Sequence, residues 1–277
     1  MPIPASQPAT GHWRLAALLM LFAGFALSPP ARANGPAQPA CTGTGCAAAA
    51  APVTREISPD TRAGRLAADL YLPPQGVALR GGAVLAHGFL RPRSTLGGHA
   101  RALAARGVVA VVPSLPYRAD PAGNAGALRE LAEQLQAGRF APAVPRFVLV
   151  GFSAGALAAV LAAPGLPGLA GLVALDPFDR RSQPGRDSAR HVDVPTTVLR
   201  APPAACNGYG SAAPWAGVLP RLDRDILIAR ATHCDFEAPT TLACRLACFG
   251  TDDTRRDLIQ QALVTAVERY LPSGGAP

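Results

Sequence analysis

RFVLVGFSAGALAAVLAA, residues 146–163, joins an apolar strand pattern to an apolar helix pattern through a few small residues. Ser153 stands between Gly151 and Gly155 at the junction of the two patterns. A serine at such a junction is held in a strained turn with its hydroxyl exposed, and the flanking glycines let strand and helix approach closely. The stretch therefore predicts that Ser153 is a nucleophile at the carboxyl end of a strand.

Apolar runs recur at regular intervals on both sides of this stretch. The candidate strands cover 53–58, 65–72, 82–87, 108–112, 146–151, 171–176, 195–200 and 225–230, and the candidate helices cover 95–106, 123–137, 154–163 and 253–271. Solidly apolar strands that alternate with helices are typical of a parallel sheet covered on both faces. We therefore expect a single α/β domain with a doubly wound, mostly parallel sheet of about eight strands. The first two strands are expected as antiparallel additions at one edge, and no insertion is large enough for a lid.

The N-terminus has the pattern of an export signal. Arg14 precedes an apolar run at 15–27, and a small-residue cleavage site from Ala31 to Ala33 follows. A transmembrane anchor is the alternative, but the run is shorter than the roughly 20 residues that a spanning helix needs. We therefore expect a periplasmic or secreted protein without a stable membrane anchor. The predicted organisation is a cleaved signal peptide at 1–33, a flexible linker at 34–52 and the α/β domain at 53–277.

The charge pattern excludes several function classes. All 26 basic residues are arginine, against 18 acidic residues, and the formal net charge is +8. A chain without lysine has neither a P-loop lysine nor Schiff-base chemistry. The arginines are scattered rather than gathered in a stripe, so no nucleic-acid partner is expected. We expect no cofactor and a monomeric protein, although the sequence does not determine the oligomeric state.

All six cysteines follow the predicted signal peptide, and they are Cys41, Cys46, Cys206, Cys234, Cys244 and Cys248. An even number of cysteines in an exported chain predicts up to three disulfides. A bridge from Cys206 to Cys234 would join two loops, but Cys206 could equally pair with Cys244 or Cys248. A zinc site at Cys244 and Cys248 is the weaker alternative, because no second histidine has suitable spacing. No metal is therefore expected.

A serine nucleophile needs a histidine base on a later loop. His12 falls in the predicted signal peptide, and His87 and His99 precede the serine. His191 lies just before a candidate strand rather than after one. His233 directly follows the last candidate strand. When a serine nucleophile lies at a strand–helix turn of a parallel α/β sheet, the chain order is serine, acid, histidine, and a histidine at this position fits that order. We therefore predict His233 as the base.

The acid is expected at the carboxyl end of a strand between the serine and the histidine. The more common position follows the strand at 195–200, where no carboxylate occurs. One strand earlier, Asp176 ends an apolar run and is followed by proline. We predict Asp176 as the acid that orients His233. Asp179 is the alternative acid, and Asp235 is a candidate helper.

An oxyanion formed during catalysis needs two N–H donors. One should come from the residue after the nucleophile, Ala154, and the other from the loop after the strand at 82–87. Phe89 is the candidate there, with His87 shaping the loop rather than acting as a base. An apolar substrate cleft is expected from four aromatic residues near these positions, namely Phe89, Phe152, Phe178 and Phe236.

Four stretches together carry a resemblance to a known family: GAVLAHGFL, GFSAGA, ALDPFD and THCDFEAPTTLACRLACFG. Over about residues 65–272 the chain resembles the chlorophyllases and their bacterial relatives, which are ester hydrolases of the α/β-hydrolase superfamily. It is also similar in architecture to dienelactone hydrolases and to polyester and cutin hydrolases, although in the polyester and cutin hydrolases the acid follows the next strand.

The resemblance implies roles for individual residues. The family's acid lies in a D-P-x-D stretch that matches Asp176, and its histidine is followed two residues later by an aspartate, as His233 is by Asp235. Its cysteine-bearing stretch before the last helix resembles Cys244 and Cys248. Plant chlorophyllases carry arginine at the position of Ala154 and histidine at that of Phe152. The resemblance therefore implies ester hydrolysis but not chlorophyll as substrate.

The sequence thus predicts an exported serine esterase that cleaves a small-molecule, lipid-like or polymeric ester. Two other functions share these patterns. A relative that has lost its chemistry would act as a binding protein, because fold alone does not determine function. An acyltransferase would use the same acyl-enzyme and pass the acyl group to an alcohol instead of water.

Overall fold

One sheet of eight strands forms the centre of the protein in the computed structural model, which describes residues 51–273. The predicted signal peptide, all but the last two residues of the predicted linker, Cys41, Cys46 and residues 274–277 lie outside the described residues. The eight strands of this sheet are β1 (Val53–Ile57), β4 (Ala68–Leu72), β5 (Gly81–Ala86), β6 (Val108–Pro113), β7 (Phe147–Phe152), β8 (Leu169–Leu175), β9 (Thr196–Arg200) and β10 (Leu222–Leu227). Two further short strands, β2 (Asp60–Thr61) and β3 (Gly64–Arg65), lie outside it.

The strand order in the main sheet is β1-β4-β6-β5-β7-β8-β9-β10. β1 pairs antiparallel with β4, and β4 pairs antiparallel with β6. Every other neighbouring pair is parallel. The prediction of a mostly parallel sheet of about eight strands with two antiparallel additions at one edge is therefore confirmed. β2 and β3 form a separate small hairpin that the apolar pattern did not predict.

Helices cover both faces of the sheet, as predicted. They are α1 (Gly97–Ala104), α2 (Pro121–Gln136), α3 (Ala154–Ala162), α4 (Pro184–Ala189), α5 (Leu242–Ala247) and α6 (Asp253–Tyr270). α2, α3 and α4 share one core with the sheet, and α1 and α6 share the other. Because both faces are covered, the central strands β5, β6 and β7 are buried along their whole length and are solidly apolar. In residues 51–273, no helix has the combined length and hydropathy of a membrane span.

The last strand differs from the prediction in its position. The apolar run predicted a strand at 225–230, but β10 spans Leu222–Leu227 and is largely exposed. Its position is set by pairing with β9, which begins at Leu222 opposite Thr196. An edge strand has a neighbour on one side only, so its bounds follow the backbone ladder rather than hydrophobicity.

The parallel strands place the loops that follow them at one edge of the sheet. β5, β7, β8 and β9 all run in the same direction, and ligand sites in such sheets lie outside the carboxyl ends of the strands. The loops after these four strands and after β10 carry most of the residues that the sequence predicted for the site, while Phe152 is the last residue of β7 and Ala154 is the first residue of α3.

Candidate active site

Ser153 occupies a sharp turn between β7 and α3. Its backbone has φ 55° and ψ −122°, a left-handed conformation that a residue with a side chain rarely adopts. The turn closes only because its neighbours are small. A Cβ atom on Gly151 would overlap the backbone of Ala156, and one on Gly155 would overlap the carbonyl oxygen of Ala86 in β5. The two glycines predicted to allow close packing are therefore required by sterics.

Ser153, His233 and Asp176 form a hydrogen-bonded chain. The Nε2 atom of His233 lies 3.0 Å from the Oγ atom of Ser153, and its Nδ1 atom lies 2.6 Å from the Oδ2 atom of Asp176. All three side chains are buried. A carboxylate only accepts hydrogen bonds, so Nδ1 carries the imidazole proton and Nε2 is left to accept from the serine hydroxyl. This is the tautomer that a general base needs.

The second oxygen of Asp176 is held by the loop after β9. The backbone N–H of Ala201 donates to Oδ1 at 2.9 Å, and the side-chain amide of Asn207 donates to the same atom at 3.3 Å. The side-chain Oδ1 atom of Asn207 in turn accepts from the backbone N–H groups of Ala204 and Gly210. Asp176 itself has a positive φ of 37°. The contacts to Oδ1 fix the orientation of the carboxylate, so that its other oxygen, Oδ2, faces the Nδ1 atom of His233.

Sequence reasoning missed Asn207. The segment after β9 is where the more common acid position lies, and it contains no carboxylate. A buried asparagine in that segment contacts the carboxylate from the preceding strand instead. The only signal in the sequence was an isolated asparagine next to Cys206 in a segment rich in alanine and proline.

The two other aspartates considered in the sequence have structural contacts. Asp179 accepts from the indole N–H of Trp215 at 2.7 Å and from backbone N–H groups at the start of α4. Its carboxylate is therefore committed away from His233. Asp235 accepts from the backbone N–H groups of Thr232 and Asp252 and from the Nε atom of Arg255, each at 2.7 Å. It fixes the loop on which the histidine lies.

The candidate oxyanion donors flank the serine. Phe89 and Ala154 both line the cavity into which Ser153 opens. Within the described part of the chain, neither backbone N–H donates to another protein group. Ala154 is the first residue of α3, so the positive end of the helix dipole adds to its N–H. An oxygen bound beside Ser153 would find these donors free.

The remaining histidines of residues 51–273 lie outside the hydrogen-bonded chain. His87 accepts from the backbone N–H of Leu115 at Nε2 and contacts the Gly88 carbonyl at Nδ1, and burial lowers its pKa. It shapes the loop after β5, as predicted. His99 lies in α1 with Nε2 at 3.1 Å from the Phe236 carbonyl, and burial lowers its pKa to about 4. His191 is exposed.

A cavity of about 360 Å³ opens at Ser153. Its lining includes Phe89 and Phe178, two of the four aromatic residues predicted for a substrate cleft. The structure does not bring the other two into the cavity. Phe152 is buried with its ring centroid 4.6 Å from that of His233, and Phe236 is buried in the core with α1 and α6. The last residue of β7 and the short helical turn after His233 both face inward.

Two disulfides connect the segments that follow β9 and β10. Cys206 pairs with Cys248, and Cys234 pairs with Cys244. The bridge from Cys206 to Cys234 is therefore wrong, and one of the alternative pairings is the one present. The sulfur atoms of three of these cysteines lie within 4.8 Å of one another, but each belongs to a disulfide. None is a thiolate that could bind zinc.

A buried ion pair joins the loop after β5 to the segment after His233. Arg91 donates to both carboxylate oxygens of Glu237, at 2.6 and 2.8 Å, and to the hydroxyl of Thr241. Glu237 is fully buried, and Thr240 also donates to it. The pair links the loop that carries Phe89 to the segment that carries the histidine. Sequence reasoning did not identify it.

Comparison with known proteins points to a common fold. Residues 83–274 match the profile of the alpha/beta hydrolase family. No curated protein sequence matches this chain.

Several solved structures are similar. A dienelactone hydrolase from Anabaena variabilis has a TM-score of 0.63 at 19% identity, over 79% of this chain and 99% of its own. A serine hydrolase without a lid from Xanthomonas campestris has a TM-score of 0.61 at 22% identity, over 81% and 97% of the two chains. The esterase domain of a Rhodothermus marinus protein has a TM-score of 0.61 at 16% identity, over 79% and 99%. Sequence identities this low support a shared fold but not a shared substrate.

Proposed function

This chain belongs to the alpha/beta hydrolase family, and we propose that it is an exported serine esterase that cleaves carboxylic esters through an acyl-enzyme on Ser153. His233 acts as the base and Asp176 as the acid that orients it. The observation that carries this proposal is the chain of contacts from Ser153 through His233 to Asp176, which opens onto a cavity.

The first half of the reaction uses the tautomer fixed by Asp176. As the Oγ atom of Ser153 attacks the ester carbonyl carbon, its proton passes to Nε2 of His233. The carbonyl π electrons move to the oxygen, which accepts from the N–H groups of Phe89 and Ala154. When the tetrahedral intermediate collapses, Nε2 returns the proton to the departing alkoxide, and the alcohol leaves.

The second half repeats these steps with water. His233 takes a proton from a water molecule, whose oxygen attacks the acyl carbon bound to Ser153. The intermediate collapses with the C–Oγ bond broken, and the histidine protonates the serine oxygen. The carboxylic acid leaves and the free enzyme is restored. The imidazolium that forms in each half lies against the Asp176 carboxylate, which stabilises its charge.

The lining of the cavity supports an ester with an apolar arm. Phe89, Leu157 and Phe178 line it beside Ser153. Its volume, about 360 Å³, is at the small end of the range for ligand sites. We therefore propose a compact apolar acyl or alcohol group as the part held next to the nucleophile.

Export is part of the proposal. The predicted signal peptide supports it, and so do the two disulfides, because such bridges persist in oxidising compartments. The expected product of secretion begins at Asn34. N-terminal mass analysis of protein recovered from outside the cytoplasm tests this, and an intact leader there would contradict it.

The central experiment labels the purified protein with a small fluorophosphonate and measures the intact mass. We expect a single adduct on the native protein, none on Ser153→Ala, and much slower labelling of His233→Ala. Turnover of p-nitrophenyl esters of increasing chain length then tests ester hydrolysis, and product analysis with added alcohol tests acyl transfer. A folded native protein that gives no adduct would overturn the proposal and favour a binding protein.

A further inference from the structure

α5 has an unusual division between its two faces. Cys244 and Cys248 lie four residues apart on the buried face, where both are held by disulfides. Leu242 and Leu246, also four residues apart, lie on the outer face with exposed fractions of 67% and 75%. A short surface helix normally buries its leucines. Here covalent bonds hold the helix in place, and its apolar side chains face outward.

Phe249 extends this outer face at the end of the helix. It has φ 64°, a left-handed conformation that glycine or asparagine usually occupies after a helix. The backbone N–H of Gly250 donates to the carbonyl of Arg245 and closes the turn. The Phe249 side chain is 92% exposed. A bulky residue in this conformation is strained and here gains no burial, so packing within the chain does not explain it.

Two contacts connect these residues to the walls of the active-site cavity. Cys248 precedes Phe249 and is bonded to Cys206, which lines the cavity. Thr241, which precedes α5, accepts from Arg91 of the loop that carries Phe89. A surface that bound the outer face of α5 would therefore contact a segment tied directly to the cavity wall.

Basic side chains accompany the apolar ones. Arg245 is exposed on α5, and Arg118 and Arg180 line the cavity. Among residues 51–273, none of these three makes a salt bridge within the chain. Without the predicted signal peptide, which contains Arg14 and Arg32, the chain has 24 arginines against 18 acidic residues, a formal net charge of +6. Exposed apolar side chains beside arginines are complementary to a surface with an apolar interior and negatively charged groups at its boundary with water.

We propose that the α5 face, defined as Leu242, Arg245, Leu246 and Phe249, docks the protein onto a membrane surface that carries anionic lipids. The three apolar side chains enter the interfacial region, and Arg245 lies at the phosphates. Three side chains are too few for a stable protein interface, which needs roughly 800 Å² per partner. They are enough for peripheral attachment when charge attraction is added. This inference does not depend on the proposed esterase activity.

Vesicle sedimentation with the Ser153→Ala protein tests docking without any ester turnover. We expect binding to vesicles of phosphatidylcholine with phosphatidylglycerol, and much weaker binding to phosphatidylcholine alone. Phe249→Asn should lower the partition coefficient roughly tenfold, as loss of a buried aromatic predicts. Leu246→Ser should act in the same direction, and Arg245→Gln should lower it about fivefold on anionic vesicles only. Leu79→Ser and Arg139→Gln, which change exposed residues at the opposite end of the strands, are the matched controls.

The left-handed conformation makes Phe249→Asn a sharp test. Asparagine is favoured at this position, so the variant should unfold at the same temperature as the native protein or higher while binding vesicles more weakly. Equal binding by native protein and Phe249→Asn would overturn the proposal, and so would loss of binding in the control variants. Adsorption to an uncharged polyester film with none to anionic vesicles would also overturn it and assign the face to a polymer.

Discussion

The nucleophile and its two partners are held in place by different means. Ser153 owes its conformation to residues within two or three positions along the chain, chiefly Gly151 and Gly155, and to the end of β5 that they touch. His233 and Asp176 are held by groups from distant segments. The nucleophile is thus positioned by sterics, and the acid and base by polar and covalent contacts.

The histidine segment shows how many distant contacts are involved. Arg255 of α6 binds Asp235, and Arg91 of the loop after β5 binds Glu237. His99 of α1 lies within hydrogen-bond distance of the Phe236 carbonyl, and a disulfide joins Cys234 to Cys244. Each contact restrains a residue within four positions of the histidine. Such a segment responds to charge, pH and reduction, whereas the serine turn responds to the volume of its neighbours.

Asp176→Asn gives the largest expected effect, because Asp176 fixes the tautomer of the histidine that activates Ser153. The N–H donors of Ala201 and Asn207 will keep the amide oxygen on their side, so the new NH₂ group faces Nδ1 of the histidine. Nδ1 must then accept, which moves the imidazole proton to Nε2 and blocks the base. We expect kcat for a p-nitrophenyl ester to fall on the order of 10⁴-fold. Near-normal turnover would contradict Asp176 as the acid.

Asp179→Asn is the control for this prediction. Its carboxylate binds Trp215 and the start of α4, so its replacement should lower the unfolding temperature and leave the kcat of the remaining folded protein close to native. A fall in kcat comparable to that of Asp176→Asn would instead assign the acid role to Asp179.

Glu237→Gln tests the distant contacts directly. The change leaves the Arg91 guanidinium, only 16% exposed, without its carboxylate. Breaking a buried pair from one side costs about 3–5 kcal/mol, which urea unfolding should show. The exposed pair between Arg256 and Asp253 is the comparison, and Asp253→Asn should cost less than about 1 kcal/mol. Equal losses in the two variants would mean that the buried pair does not hold the segment.

The sequence predicted the parts of the fold and site that depend on neighbouring residues. The glycines around Ser153 indicate the turn, because the steric requirement and the residues that meet it lie together. The apolar runs indicate the central strands, because a strand buried on both faces must be apolar throughout. β10, α5 and the β2–β3 hairpin were misplaced or missed, since their positions depend on backbone pairing and disulfides rather than on apolar burial.

Contacts between distant residues could not be predicted in the same way. Asn207 lies 31 positions from Asp176, Glu237 lies 146 positions from Arg91, and Cys248 lies 42 positions from Cys206. In the amino-acid sequence alone, many arginines and carboxylates are equally good candidates for pairing. The folded sheet determines which of these pairs form. The candidate acid and base could therefore be predicted from strand order, but the groups that hold them in place could not.

His99 extends the comparison to pH. Burial lowers its pKa to about 4, from an ordinary value of 6.5, and its Nδ1 atom has no hydrogen-bond partner in residues 51–273. Above pH 6.5 the His99 imidazole is neutral in both the folded and the unfolded chain, so its burial costs no stability by opposing protonation. As pH falls toward 4, the unfolded chain takes up a proton and the folded one does not, so stability falls by up to about 3 kcal/mol. Below pH 4 this group causes no further loss.

Urea unfolding across this pH range, on native protein and His99→Gln, measures the effect. The glutamine amide can still donate to the Phe236 carbonyl but does not titrate, so the acid-dependent loss should shrink. Part of the loss should remain, because burial also lowers the pKa of His87. His191→Gln, at an exposed position, is the control. Identical pH profiles for native protein and His99→Gln would show that this contact does not link the histidine segment to pH.

Gly155→Ala tests the nucleophile's side of the comparison with the smallest expected change. The added methyl group would overlap the carbonyl oxygens of Ala86 and His87, which are backbone atoms and cannot rotate away. β5 and α3 must separate, at a cost of about 1–3 kcal/mol. Gly126→Ala makes the same chemical change in α2, where nothing lies within 4 Å, and should stabilise by up to about 1 kcal/mol. If the two variants shift unfolding in opposite directions and only Gly155→Ala slows fluorophosphonate labelling, then space alone positions the serine. If Gly155→Ala labels at the native rate, the turn must be held by distant contacts too, and the two arrangements would be alike.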